Sequence, residues 1–457
     1  MSNKALATGP SPYADPQPED FSTMTVYWGM LAPADIKPAR RRLTLELGRA
    51  VLLYNDAAAP GIGGMWFIRQ AALALLGIRV AMEFSPAGSK IEVTNAIEAL
   101  ACWFGYRKRN WTRGDWRLRG PRKLQRLEYS NRTWSFETLK DRASYVTQPM
   151  RMGCVEALMG LGLVDASGTR FNGFSINARG QQLIDAVFDG RKSLPDCLVS
   201  WVRGQEVEFT SSLRVQLDPT TEIREAARKV MREALSFPID ADRRLNAMAW
   251  LRRIDAGEGF GAQPHIAWEV RPTEIAEDHW KDMRAGATLM QTRDAAINVV
   301  AEIEQYLVAH KRIDLSQPVP ERLSDALKQW REQAHRFRAL DGHGPDGAAT
   351  DALKFCNEAL QPDEHAITML VKRENHMLRV AGRVVEPTSA WRKEAALSIQ
   401  DASVSEVDPA DVEGSAPLRA ERDVLPPDIS VRMIYLRRLT LDLEGRLGAF
   451  IAAQGQR

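Results

Sequence analysis

At 457 residues the chain is long for a single hydrophobic core, so two or three domains are expected. Its 61 Lys and Arg nearly balance 59 Asp and Glu, so the net charge of +2 names no partner and only the distribution of charge is informative. Cys102, Cys154, Cys197 and Cys356 are scattered with no C-x-x-C pair, which argues against a disulfide framework or a zinc site and for a reducing cytoplasm.

Residues 1–22 are rich in Pro and small polar residues, lack a basic-then-apolar start, and read as a disordered leader. The longest apolar run, residues 71–78, falls far short of the roughly 20 residues a membrane span needs, so no membrane partner is expected. Residues 38–54 predict a helix, with Leu43, Leu45, Leu47, Val51 and Leu52 following Arg40, Arg41 and Arg42. Gly61-Ile62-Gly63-Gly64 then opens an apolar helix over residues 65–76. A glycine loop before a helix can offer free N–H groups to a phosphate. No G-K-[ST] ending follows, and Trp66 stands where a dinucleotide fold has its third glycine, so close helix packing is the competing use. Residues 79–84 read as a short strand. Residues 93–104 read as an amphipathic helix with Ile97, Leu100, Ala101 and Phe104 at helical spacing.

The chain is most basic and aromatic from residue 106 to 134. Residues 101–150 hold 12 Lys and Arg against 4 Asp and Glu. Arg107, Lys108, Arg109, Arg113 and Arg117 are interleaved with Tyr106, Trp111 and Trp116; Arg119, Arg122, Lys123 and Arg126 precede Tyr129, Arg132 and Trp134. Such an excess is the footprint of a polyanion site, where cations neutralise phosphates and rings stack on unpaired bases. The competing uses are an acidic protein partner, a solvated surface, and arginines paired with acids of the C-terminal half.

Ser135 is placed to cap a helix over residues 136–145, and Thr147-Gln148-Pro149 to start the next, whose Met152, Val155, Leu158 and Met159 point inward. Gly162-Leu163-Val164 and Phe174-Ser175-Ile176 pair as a hairpin around Ser167-Gly168, and Asn177-Ala178-Arg179-Gly180 opens a further helix with Leu183, Ile184 and Val187. This order over residues 135–190 resembles the winged-helix superfamily. The resemblance implies that the helix before Gly162 is a recognition helix with Gln148, Arg151 and Met152 toward the groove, and that Arg170 and Asn172 sit on the wing. The first helix of the unit would then be residues 93–104, with the basic segment inserted after it. Few base-reading side chains stand on the recognition helix, so phosphate contacts that position the protein are expected over sequence reading.

Beyond residue 192 helices dominate. Residues 213–217 read as a strand; Asp218-Pro219 starts a helix to Leu235. Further helices are expected over residues 240–254, 275–311, 320–340, 351–360 and 363–380. The longest carries Met283, Ala287, Met290, Ile297, Val300, Ile303 and Leu307 on one side, which suits core packing or a dimer seam. Residues 401–428 hold 8 acids and 2 arginines and read as an acidic linker, with a possible role in competing for the basic segment; an apolar helix over residues 429–452 must dock after it.

No H-E-x-x-H pair or G-x-S-x-G elbow is present, and no catalytic residue, metal or cofactor is expected. Arg338 and His343 resemble the R-x4-6-H motif of HEPN ribonucleases, which implies a helical RNA-cleaving enzyme as one alternative. The expected fold is mainly α with small β elements: a winged-helix-like module in the N-terminal half and a helical C-terminal half. The expected divisions are 1–22, 23–192 with the basic insertion 106–134, 193–400, 401–428 and 429–457. The expected function is a non-catalytic nucleic-acid-binding subunit, DNA foremost, of a larger bacterial assembly in genome maintenance or phage defence, with other protein subunits as partners. An adaptor for an acidic protein is the other alternative.

Overall fold

A computed structural model describes residues 44–85, 89–130, 134–141, 143–188, 193–237, 240–257, 267–340, 343–345, 347–391 and 424–454. The leader, Arg40 to Arg42, Arg132 and residues 401–423 of the acidic stretch lie outside them. The chain is mainly helical with two small sheets, and among the described residues no helix is long and apolar enough to cross a membrane.

Two apolar clusters organise the helices. The first is built around α2 (Ile68–Phe84), whose residues from Ile68 to Ile78 are all buried. Around it pack α3 (Lys90–Lys108), α6 (Met150–Gly160), α7 (Ala178–Val187) and α8 (Ser193–Val202), with α10 (Glu225–Leu235) and α11 (Ala241–Asp255) completing the shell. The second cluster gathers α1 (Gly48–Ala58), α13 (Glu321–Arg338), α14 (Ala348–Ala359) and α15 (Asp363–Glu374). The 34-residue α12 (Glu277–His310) joins the two: Trp280 and Met283 lie in the first, and Leu289, Val300, Ile303 and Leu307 in the second. Its apolar stripe is covered by α1 and α13, so it is core.

Several expected elements change. Residues 79–84 are the last turns of α2, and residues 213–217 lie in α9 (Ser211–Leu217). Both runs have strand-like composition, but each is buried against helices on one face, and tertiary packing overrides so weak a preference. Asp218 starts no helix; its carboxylate bonds the Thr220 N–H and hydroxyl in a local turn, and α10 begins later. The helix after Ser135 is only α5 (Phe136–Leu139). The helix expected over 363–380 stops at Asn375, whose φ of 45° is a left-handed cap. After it, β4 (Leu378–Ala381) turns through Gly382 into β5 (Val384–Pro387), and β5 also pairs with β3 (Ile313–Asp314), all antiparallel. Gly382, at φ 63°, supplies the first position of this two-residue hairpin turn. The other hairpin, β1 (Val164–Ala166) with β2 (Phe174–Ile176), forms where the spacing placed it, with Val164 opposite Ile176. The terminal helix divides at Gly445 into α16 (Val431–Leu443) and α17 (Leu447–Gln454).

α16 docks inside the first cluster, where even its arginines are covered. Arg432 bridges Asp56 at 2.6 Å and Glu156 at 2.5 Å, Arg437 meets Asp255 at 2.6 Å, and Arg438 lies over the rings of Trp66 and Trp116.

Candidate nucleic-acid interface

α3 carries the aromatic-to-basic transition. Ser89 caps its start by accepting the Glu92 N–H, and Arg107 and Lys108 complement the dipole at its last turn. A tight left-handed turn at Asn110 and Trp111 follows, in which the Trp111 ring stacks on Tyr106 at 5.5 Å. The chain then reverses into α4 (Pro121–Tyr129), entered through Gly120 in the left-handed region with Pro121 in the first turn.

Much of the basic charge is used inside the fold. The guanidinium of Arg117, a residue 7 % exposed, makes two hydrogen bonds to Asp115, at 2.9 and 2.7 Å. Burial alone would raise the Asp115 carboxyl, but the Arg117 hydrogen bonds and charge outweigh it and hold the carboxyl below its ordinary range. Arg109 meets the same carboxylate at 3.4 Å. Arg119 donates to the Gln148 carbonyl at 2.9 Å and Lys123 to the Tyr145 carbonyl at 2.6 Å, so both fasten the segment ahead of α6. Arg107, over the Trp103 ring, meets Glu128 at 3.4 Å, and Lys108 meets Asp218 at 3.3 Å; both side chains remain about half exposed, at 51 % and 53 %. Arg113, Arg122 and Arg126 are exposed.

On α4, Leu124 and Leu127 face the core, while Arg122, Gln125, Arg126 and Tyr129 follow one another at i, i+3, i+4 and i+7 on the outer side. Tyr129 is 77 % exposed, and among the described residues the Arg126 guanidinium makes no hydrogen bond. Glu128 ties this helix to α3 by accepting the Trp103 indole N–H at 2.7 Å.

The residues drawn from the winged-helix resemblance are less open. Of α6 only Met152 is exposed. Its Gly153 and Gly160 lie against the glycine loop, and Glu156 is held by Arg432. Gln148 is half-buried. Arg151 bonds the Asn95 side chain and lies over the Phe171 ring. Asn172 is exposed but accepts the Ile91 N–H at 3.1 Å, and Arg170 is exposed at the hairpin loop. The start of α6 is held by buried Glu98, whose carboxylate accepts the Met150 and Arg151 N–H groups and the Tyr145 hydroxyl. Two N–H groups of the glycine loop are engaged, Gly61 with Asp56 and Gly64 with Gly153, and the Trp66 N–H beyond it goes to Gln70. The loop serves helix packing, with Gly153 and Gly160 of α6 against it.

One feature escaped the sequence reading. Leu100, Trp103, Phe104, Arg107 and Lys108 form a single α3 stripe that lines an open groove with α9 and residues 204–209. Its aromatic part, about 730 Å³, is walled by Trp103, Phe104, Trp134, Trp201 and Phe209; a basic part of about 360 Å³ shares Phe104 and Arg214 with it. The i, i+3, i+4, i+7, i+8 spacing was visible in the sequence, but the helix was expected to end at residue 104, which left Arg107 and Lys108 in the basic segment.

Between the two clusters His343 meets Asp282 at 3.0 Å, Asp282 meets Arg243 at 2.7 Å, and Tyr54 donates to the His343 carbonyl at 3.0 Å. Arg338 is exposed, and no hydrogen bond or ion pair joins it to His343 among the described residues. Among those residues no group of three or more His, Cys, Asp or Glu is placed to hold a metal ion.

No family model, curated protein or solved structure matches the chain.

Proposed function

We propose that this chain is a non-catalytic nucleic-acid-binding subunit, DNA foremost, that grips the phosphate backbone without reading sequence. One observation carries the reading: the outer face of α4, with Arg122, Gln125, Arg126 and Tyr129 in line, on a helix anchored by Leu124 and Leu127. Arg107, half exposed at the end of α3, adjoins this helix through Glu128, and half-exposed Lys108 follows it. Guanidinium groups supply phosphate contacts, and an exposed tyrosine adds a ring that stacks or hydrogen-bonds at the backbone. α6 offers Met152 and no free polar stripe, so the winged-helix-like unit serves in this reading to position α4.

The test is fluorescence anisotropy with a labelled 20-base-pair duplex over a salt series. Log affinity should fall linearly with log salt at about −0.9 per phosphate contact. Replacing Arg122 and Arg126 together with Ala should weaken binding and reduce the slope by about 1.8. An unchanged affinity and slope would remove α4 from the reading. Tight binding to an acidic protein with none to DNA would replace it with the adaptor reading.

A further inference from the structure

The aromatic part of the groove beside Arg107 is unused in the grip on a duplex backbone proposed above, yet it is larger than the basic part. Trp134 and Phe209 are only half-buried and line it, with Trp134 stacked on Trp103 at a 3.8 Å centroid separation. Arg107 lies over the Trp103 ring and Arg214 over the Phe104 ring. The Nε of Arg107 meets Glu128 at 3.4 Å and that of Arg214 donates to the Phe209 carbonyl at 2.7 Å, so the terminal N–H groups of each guanidinium are the ones to meet a phosphate. Residues 205–209, outside any helix or strand, line it as well: Glu206 and Glu208 are exposed and alternate with half-buried Val207 and Phe209. Among the described residues the N–H groups of Glu206, Val207 and Glu208 make no backbone hydrogen bond.

We propose that this groove takes unpaired bases of a single nucleic-acid strand, stacking them on Trp134 and Phe209 while Arg107, Lys108 and Arg214 hold the phosphates and Glu206 and Glu208 accept base amino groups. The proposal rests on the nucleic-acid reading above and sharpens it to a strand with unstacked bases. Charge complementarity chooses this occupant: three cations line the basic part, where Asp218 pairs with Lys108 alone, and Glu206 and Glu208 line only the aromatic part, where a base edge and not a phosphate would arrive. Carboxylates accept from the cytosine amino group and have no donor for thymine carbonyls, so cytosine-containing strands should be preferred. A volume of about 730 Å³ lies within the roughly 300–1,000 Å³ of small-molecule sites and leaves room for a base with its sugar.

The experiment measures anisotropy of labelled 12-residue oligo-dC, oligo-dT and a duplex of equal length, using the full chain. Wild type should bind oligo-dC more tightly than oligo-dT, and both by at least about tenfold over the duplex. Phe209→Ala should lower single-strand affinity roughly 5- to 100-fold, the range one stacking ring supports, and leave duplex affinity unchanged. Phe209→Leu, which keeps apolar packing, should lose as much, and Phe209→Tyr should restore binding. Glu206→Gln with Glu208→Gln should erase the preference for oligo-dC. Equal losses on single strand and duplex, or none with Phe209→Leu, would overturn the groove while leaving α4 in place. Absence of binding to all three probes would instead remove the nucleic-acid reading itself. Phe209-dependent binding of a labelled alternating Val-Thr decapeptide, with no binding of oligonucleotides, would make the occupant a peptide strand paired to residues 206–208.

Discussion

The Asp442 carboxylate on α16 accepts the backbone N–H of Ile68, the first residue of α2, at 2.8 Å across 374 positions of chain. α2 has no side-chain cap of its own, so the free N–H and the positive end of its dipole are met by a carboxylate from the terminal helix. Asp442→Ala should therefore lower stability by about 1–2 kcal/mol, read as a shift in the urea midpoint. Burial pushes this carboxyl above 3.8, although the Ile68 N–H, Arg117 and Arg69 oppose the shift. The native state then holds the proton more tightly than the unfolded chain. The contribution is fully present below 3.8 and is lost as pH rises through the folded value. Asp442→Asn should flatten that fall in unfolding curves taken from below pH 3.8 upward.

Asp115 should behave with the opposite sign. Its carboxyl is held below 3.8, so the stability it contributes is present above that value and lost as pH falls through the folded one. Asp115→Asn leaves the 7 % exposed Arg117 without its charged partner. Removal of one member of a buried pair costs about 3–5 kcal/mol. The variant should unfold earlier in urea at neutral pH, with a weaker dependence on acid; equal midpoints would show that Arg117 finds another acceptor.

The seam between α6 and the glycine loop should tolerate no added methyl. A Cβ on Gly160 would lie 2.7 Å from the Gly61 Cα, and one on Gly153 would lie 2.9 Å from the Gly64 carbonyl oxygen. Gly153→Ala and Gly160→Ala should each cost about 1–3 kcal/mol through backbone displacement. Gly168→Ala meets nothing within 4 Å and should change stability by less than about 0.5 kcal/mol. Thermal melts of the three variants make the comparison.

Arg437 on α16 meets Asp255 at the end of α11, with side-chain exposures of 9 % and 6 %. Arg437→Ala should cost about 3–5 kcal/mol, because the carboxylate stays buried without its counter-charge. Arg437→Ala with Asp255→Ala should recover part of that loss. A double variant no more stable than the single one would mean that packing of Arg437 over Phe450 dominates.

The helices most legible in the sequence are those with sustained apolar spacing: α3, α11, α12 and α13 lie within a few residues of their expected ranges. The β1–β2 hairpin was legible too, because its turn chemistry is local. The β4–β5 hairpin was missed, although Leu378-Arg-Val-Ala-Gly-Arg-Val-Val385 alternates around a glycine, because the preceding helix supplied an apolar pattern that ran on into it. The basic segment was legible as charge, but the inward use of Arg117, Arg119 and Lys123 was not. A count of cations cannot tell which of them face a carboxylate or carbonyl brought in by another element.

The sequence by itself determined the helical class, the order of most elements and the existence of a basic, aromatic stretch, since each follows from spacing within a few residues. Only the tertiary structure decided that α16 lies in the first core, that Asp442 and Glu98 hold the starts of α2 and α6, and that α3 and α9 enclose a groove. Those relations join residues 52 to 374 positions apart. Capping, ion pairing and concavity depend on distance in space, which local periodicity does not carry.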